Sequence, residues 1–385
     1  MSKPITIGMI GYGGFGHFLF NAWRSLEEVQ VVAIADIDPH VKIPERCTFF
    51  RDWRELVHDE QIDMVVVVTP PATHHDIACA ALNSGKHVFV EKPIATNMKD
   101  AEAIRDVALK NDKMVIVDFM MRYNPIIETL IRLNKLQVLG RFRRFAVENY
   151  AQDELLHRDH WFWNKEVSGG VLIEHAVHFI DIVHAFTDSK MAEVNGVKSS
   201  THEARENQVL ANVLYEDGLI ATHYHAFTRP GFFEQTTMRF VFDLATVEIS
   251  GWIPLQGKII CIVPKRDRDH LLLLPDFQVN YIREIDDVID VSRPEGWGKI
   301  ETNQGAKSER SVVSGGQRYD IDLMIEAEFR LNLSKAEVYS MCVRGVMKDF
   351  VKSILDKSSS SRINIDDGLR SLEVAVCATD YIREV

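Results

Sequence analysis

The stretch ITIGMIGYGGFGHFLFNAWRSLEEVQVVAIADID, residues 5–38, decides the fold. Ile5–Ile10 has the length and apolar character of a buried strand. Gly11, Gly13 and Gly16 follow in G-x-G-x-x-G spacing, with Tyr12, Gly14 and Phe15 between them. Phe15, Phe18, Leu19, Ala22 and Leu26 then recur at helical intervals. Val29–Ala35 reads as a second buried strand ending in Asp36, 20 residues after Gly16. Each position has a physical job. Gly11 permits the tight turn, Gly13 lets backbone approach a pyrophosphate, and Gly16 lets helix and strand pack closely. The helix start offers free N–H groups and the positive end of a dipole. Asp36 can accept hydrogen bonds from an adenosine ribose. An ordinary strand–turn–helix would account for the glycines alone. Strand, helix and acid at this distance together predict a dinucleotide site. Asp36 would repel a 2′-phosphate and Ile37 beside it brings no positive charge, so the cofactor expected is NAD, with NADP less favoured.

Working outward, the same alternation continues. Met64–Val68 is an apolar strand stopped by Thr69-Pro70-Pro71, and a helix over 72–84 is closed by Gly85. His87–Val90 is a strand ending in Glu91-Lys92-Pro93, and a helix over 97–111 leads to the strand Met114–Phe119. A short strand at Thr48–Phe50 and a helix carrying Trp53, Leu56 and Val57 fill the earlier gap. Repeated βα units predict a doubly wound parallel sheet over residues 1–122. From Arg122-Tyr123-Asn124-Pro125 the pattern changes. After a helix to about Leu136, polar alternation over Phe142–Asn149, Gln208–Tyr215, Leu219–Ala226 and Met238–Phe242 predicts a large, open, mostly antiparallel sheet. Residues 123–385 thus read as an α+β domain. Within it, 293–318 reads as an extended loop, Lys335–Asp356 as a long helix and 366–383 as a closing helix.

At 385 residues the chain has room for two such units, and 46% hydrophobic content is ample for their cores. A net charge of −12 without any basic block makes nucleic acid and anionic membrane poor partners. No apolar run approaches about 20 residues. Five scattered cysteines without a C-x-x-C pair fit buried thiols in a reducing compartment, so a cytoplasmic location is expected.

Two further segments carry chemistry. Lys92 ends a strand on the same sheet edge as the glycine loop, within reach of a cleft mouth, although a lysine before a turn is most often a surface residue. In Ser168–Phe186, SGGVLIEHAVHFIDIVHAF, an almost wholly apolar helix carries Glu174, His178 and Asp181 on one narrow stripe, with His175 well off it. Buried Glu and His need partners or a ligand, and a structural Glu–His hydrogen bond is the plain alternative. Glu174 and His178 also have metal-ligand spacing, and His223-x-His225 offers two imidazoles. H-E-x-x-H is absent, and no metal is expected.

GYGGFG, AIADID, TPPATHHDIACAALNSGKHVFVEKP, FMMRYNP and SGGVLIEHAVHFID together resemble the Gfo/Idh/MocA oxidoreductases. The likeness covers the first unit and the first third of the second, and fades after about residue 255. It implies a Rossmann domain followed by a substrate domain whose open sheet mediates homo-dimer or homo-tetramer formation. It also implies that Lys92 and His178 are catalytic, with a cis peptide before Pro93. Thr69, Pro70, Pro71, His74, Glu91 and Lys92 would join the glycine loop, Asp36 and Ile37 around the cofactor. Arg122, Asn124 and Trp161, with Glu174 and His178, would face the substrate. Two positions depart from the family pattern. Glu174 replaces the usual Asp, and Ala176 a common Gly.

The reading that follows is nicotinamide-dependent interconversion of a hydroxyl and a ketone on a sugar, cyclitol or related polyol. His178 would move the proton, Lys92 would hold the substrate oxygen, and Glu174 would orient His178 or contact a substrate hydroxyl. Redox-neutral, NAD-dependent glycoside cleavage or elimination is one alternative, and a non-catalytic dinucleotide-binding regulator another.

Overall fold

The computed structural model describes residues 3–152, 156–157, 159–201, 205–285 and 311–384. Six strands form the first sheet: β1 (Ile5–Ile10), β2 (Val29–Ala35), β3 (Thr48–Phe50), β4 (Met64–Val67), β5 (His87–Val90) and β6 (Val115–Val117). All pair in parallel, in the order β3-β2-β1-β4-β5-β6. Helices α1 (Gly14–Trp23), α2 (Trp53–Val57), α3 (His74–Asn83) and α4 (Met98–Lys110) connect them. β1, β4 and β6 are buried along their whole length, which is why they read as unbroken apolar runs. Strand order reverses between β1 and β4, and ligands of such sheets bind outside the carboxyl ends at that point.

After α5 (Pro125–Lys135), the chain enters a ten-stranded sheet. Its first strands are β7 (Phe142–Gln152), β8 (Met191–Ser199), β9 (Gln208–Tyr215) and β10 (Ile220–Arg229). β11 (Gln235–Phe242), β12 (Ala245–Ser250), β13 (Gln256–Val263) and β14 (Gln278–Glu284) follow. The short helices α6 (Lys165–Ser168) and α7 (Val177–His184) lie between β7 and β8. The hairpin β15 (Ser311–Ser314) and β16 (Gln317–Asp320), then β17 (Leu323–Arg330), α8 (Lys335–Leu355), α9 (Ile365–Asp380) and β18 (Ile382–Glu384) complete the chain. Pairing is mostly antiparallel, but β7–β10 and β8–β18 are parallel, so the sheet is mixed.

Two expectations are corrected. The loop expected over 293–318 is, from Ser311, a hairpin; 293–310 lies outside the described residues. Gly315 (φ 55°) and Gly316 (φ 80°) supply the two left-handed positions of its two-residue turn. The closing helix stops at Asp380, and 382–384 instead add a strand beside β8. Phe240 of β11, Ile249 of β12 and Ile253 in the turn after β12 are buried in the core. Strand alternation puts Phe240 and Ile249 inward against the helices. The outer face exposes Val197, Leu214, Ile220 and Ile260.

The last two long helices return to the first sheet. Trp23 of α1 donates its indole N–H to the Val343 carbonyl of α8 at 3.0 Å, and α9 packs on α4 and β6. Capping boxes at Ser334/Glu337 and Asn364/Asp367 start α8 and α9. This return carries Tyr339, in the second turn of α8, to the cleft at the carboxyl edge of the first sheet.

Candidate active site

A cleft of about 840 Å³ opens along that edge, within the usual range for a small-molecule site. Gly11, Gly13, Gly14 and Gly16 form one wall. Gly11 has φ +91°, and a Cβ there would lie 2.3 Å from the Val68 carbonyl oxygen. A Cβ on Gly16 would sit 2.5 Å from the Gly11 carbonyl oxygen. A Cβ on Gly13 or Gly14 would meet nothing within 4 Å. The first pair is thus glycine for packing, while the second leaves bare backbone facing open space at the start of α1. No side chain caps that helix start. This is the cradle a pyrophosphate requires, so the residues present fit a dinucleotide. Asp36 accepts the Tyr12 backbone N–H on Oδ2 (2.7 Å) and the Asp38 N–H on Oδ1 (2.9 Å), which fixes its carboxylate beside the loop. Ile37 is 87% exposed, and Arg51 and Trp53 line the cleft with them.

At the other end stand Lys92, Glu174, His175 and His178. Lys92 leaves β5 just before a cis Lys92–Pro93 peptide. Its Nζ donates to Glu174 Oε1 (2.6 Å) and to the Glu174 carbonyl (2.9 Å). An ammonium has three donors, so one remains for a ligand. Glu174 therefore holds Lys92 and not His178, against the expectation from the stripe. The cause is local: Leu172–Ala176 winds as a π-turn before α7 begins. A π-turn advances each residue less than an α-turn. It brings His175 into the cleft wall and separates Asp181 from it. His175 Nε2 lies 3.0 Å from Asn149 Oδ1, an acceptor, so Nε2 carries its proton. His178 packs edge-on to Trp252 (5.0 Å between ring centroids), and its Nδ1 is buried without a partner among the described residues. Burial, with the Lys92 charge and His175 beside it, holds its pKa well below the ordinary imidazole value; His175 is lowered to about 4, chiefly by burial. Both rings are neutral at neutral pH.

Parallel register adds two carboxyls. Val90 pairs with Val117, so Glu91 and Asp118 step off neighbouring strand ends side by side, and both line the cleft. Glu91 Oε1 and Asp118 Oδ1 are buried without a hydrogen-bond donor among the described residues. Burial pushes both pKa values up, Asp118 to about 6 and Glu91 well above its usual range.

Most of the residues expected around the cofactor line this cleft: Phe15, Thr69, Pro70, Pro71, Glu91 and Lys92, with the glycines, Asp36 and Ile37. Tyr12 and His74 do not. The Tyr12 ring packs on His17, and only its backbone N–H serves the site, by holding Asp36. His74 is fully buried, its ring bridging the Thr69 and Pro93 carbonyls at 2.8 and 2.7 Å, which locks the two strand ends together. Of the expected substrate contacts, Trp161 lines the cleft beside His160, whereas Arg122 and Asn124 do not. The Arg122 guanidinium is consumed by Asp181 (2.7 and 2.8 Å), Asp367 (2.9 Å) and the Arg362 carbonyl (3.1 Å). Asn124 caps α5 through Ile126 N–H and donates to the Pro254 carbonyl. Both side chains are engaged by contacts within the fold. Sequence reasoning missed Arg51, Trp53, Asp118, Trp252 and Tyr339. Asp118 was legible, because like Asp36 it is an acid ending a buried strand. The others arrive from distant segments without a local signal. His223 and His225 are fully buried, with ring centroids 6.4 Å apart, and no group of three metal-ligating side chains occurs among the described residues.

Residues 5–119 match the Gfo/Idh/MocA model described as an oxidoreductase family with an NAD-binding Rossmann fold, and 128–248 match a Gfo/Idh/MocA C-terminal domain. An inositol 2-dehydrogenase/D-chiro-inositol 3-dehydrogenase of Lactiplantibacillus plantarum is 28% identical over 196 residues, 49% of this chain and 54% of that protein. A levoglucosan dehydrogenase of Pseudarthrobacter phenanthrenivorans is 28% identical over 215 residues, 51% and 55% of the two chains. The chain spans about half the length of the curated relatives it matches. Among solved structures, a levoglucosan dehydrogenase in complex with NADH and levoglucosan superposes with a TM-score of 0.73 at 16% identity, covering 98% of this chain and 97% of that one. A myo-inositol 2-dehydrogenase from Lactobacillus plantarum gives 0.70 at 16%, covering 98% and 97%. At such identities these two show the fold. Taken with the two models, whose matches run from the first strand into the second sheet, they leave one assignment: the chain belongs to the Gfo/Idh/MocA oxidoreductase family.

Proposed function

We propose that the chain is an NAD-dependent dehydrogenase that interconverts a hydroxyl and a ketone on a sugar, cyclitol or related polyol. The observation that carries this reading is the meeting, in one cleft, of a bare glycine loop with an ion-paired lysine and a buried neutral imidazole. The relatives named for inositol and levoglucosan support the substrate class. Gly13, Gly14 and Asp36 would hold the cofactor, which when bound supplies the hydride acceptor. His178 takes the hydroxyl proton on a free ring nitrogen during oxidation and returns it during reduction. Lys92 directs its remaining N–H to the substrate oxygen, where negative charge develops. Glu174 keeps that ammonium in place. Trp161 and Trp252 wall the substrate end and exclude water from it.

A screen of polyols with NAD, followed by NADH absorbance, tests the proposal. NADH formed with a polyol supports it. Product formed without net NADH would replace it by redox-neutral cleavage, and NAD binding without turnover on any polyol would leave a regulator.

The working unit is a homo-dimer or homo-tetramer assembled through the outer face of the ten-stranded sheet, where Leu214, Ile220 and Ile260 are exposed. Sedimentation of a 44.0 kDa monomer at micromolar concentration would refute this. All five cysteines are free thiols, which supports a cytoplasmic location.

A further inference from the structure

We propose that Glu91 and Asp118 form a carboxyl pair that holds one negative charge at the nicotinamide end of the cleft and selects the oxidised cofactor, NAD+, over NADH. The inference rests on the reading that the cleft binds a nicotinamide dinucleotide. It concerns which redox state is preferred.

The two side chains are 8% and 1% exposed, stand at adjacent strand ends and hydrogen-bond each other, and each keeps one further buried oxygen without a partner among the described residues. Topology says which end of the cleft this is. Asp36 follows β2 on one side of the glycine loop, and Glu91 and Asp118 follow β5 and β6 on the other. With the adenosine ribose at Asp36 and the pyrophosphate at the loop, the nicotinamide must extend towards β5.

Charge at that end can be counted. Lys92 and Glu174 are an ion pair and cancel. His175 and His178 are neutral by burial. From α8, Tyr339 and Cys342 face the carboxyls and are held protonated, the thiol pushed up to about 12 by burial. Two carboxylates this close cannot both ionise near neutral pH. Burial raises Asp118 to about 6 and Glu91 well above its usual range, so one proton stays on the pair they share and one charge remains. The net charge of this end is −1. A nicotinamide ring is cationic in NAD+ and uncharged in NADH, so only the oxidised form gains from it.

The experiment measures dissociation constants of NAD+, NADH and ADP-ribose by calorimetry, without substrate, for the native chain and three variants. Glu91→Gln leaves Asp118, raised only to about 6, to carry the charge and should keep the NAD+/NADH preference within about twofold, whereas Asp118→Asn leaves Glu91, which burial holds protonated, and should lose preference like the double variant. The double variant removes the charge. Its NAD+ affinity should fall about tenfold, the factor that 1.4 kcal/mol represents, with NADH unchanged. A double variant with an unaltered ratio, or equal loss for both forms, would overturn the proposal. Should the double variant not fold, the native chain still decides: NAD+ should tighten as pH rises through about 6 while NADH stays level, and a flat ratio between pH 5 and 8 would overturn the proposal. ADP-ribose separates the two claims. If it fails to bind, the dinucleotide reading itself fails; if it binds and the ratio is insensitive, only this inference does.

Discussion

Lys92 Nζ sits 2.6 Å from Glu174 Oε1 and 2.9 Å from the carbonyl oxygen of the same residue, so one residue of the second unit grips one of the first twice. The side chains are 14% and 11% exposed, and breaking a mostly buried pair by removing one partner typically costs about 3–5 kcal/mol. The contact therefore couples the two halves of the cleft as well as placing the ammonium.

Glu174→Asp tests this arrangement. Shortening the side chain by one methylene withdraws the carboxylate but leaves the carbonyl contact. The expected outcome is a drop in kcat with NAD affinity nearly unchanged, read from steady-state kinetics beside NAD titration. Lys92→Arg should rescue poorly, because a planar guanidinium cannot occupy a point-like site between two oxygens of one residue. An Lys92→Arg enzyme with native kcat would remove Lys92 from the reaction.

His178 carries the second prediction. His178→Asn should lower kcat by about 10²–10⁴-fold, the usual worth of general acid–base catalysis. Because burial lowers the pKa of His178, the base stays unprotonated well below the ordinary imidazole value of about 6.5. The acid limb of kcat/KM should accordingly lie below 6.5, and a limb at or above that value would contradict a buried neutral base.

Fold and site were unequally legible. Gly11, Gly16 and Asp36 act on neighbours within one βαβ unit, so spacing alone placed them. Glu174 did not reveal its partner, because Lys92 lies 82 residues away and a π-turn rotates the helix face. The same limit applies to Arg122, which reads as a candidate ligand contact yet closes on Asp181 and Asp367, 59 and 245 residues on. Tyr339 reaches the cleft only because α8 folds back on α1. Pairwise charge closure and helix return are decided by packing, and no local pattern encodes them.

Acid stability gives a third expectation. His175 and His87 are lowered to about 4 and His223 to about 3, with burial the first cause in each. Their folded values lie below the unfolded value of about 6.5, so their contribution is complete above that pH and is lost as pH falls towards the folded values. Each costs about 1.4 kcal/mol per pH unit in that window. Glu91 and Asp118, raised on folding, act in the opposite sense and favour the native state as pH falls. His223 has no hydrogen bond on either ring nitrogen among the described residues. His223→Leu should therefore be at least as stable as the native chain at pH 7.5 and lose about 2 kcal/mol less between pH 6.5 and 5.0. Urea denaturation at these pH values measures it, and parallel losses in both proteins would refute it.

The last expectation concerns the adenosine end. Asp36 has each carboxylate oxygen fixed by a backbone N–H, from Tyr12 and from Asp38, so it cannot swing away from an incoming 2′-phosphate. NAD should thus bind more tightly than NADP. Arg51 lines the same end, and a neighbouring arginine is the group that receives a 2′-phosphate once the acid is gone. Asp36→Asn removes the charge and keeps one acceptor oxygen for the loop. Its NADP affinity should rise about tenfold, the scale of one lost repulsion near a partly solvated surface. Adding Arg51→Ala should cancel that gain while hardly touching NAD. Titration of both cofactors against the three proteins decides the matter. If Asp36→Asn binds NADP no better, the carboxylate is not what discriminates; if Arg51→Ala leaves the gain intact, the phosphate finds its charge elsewhere.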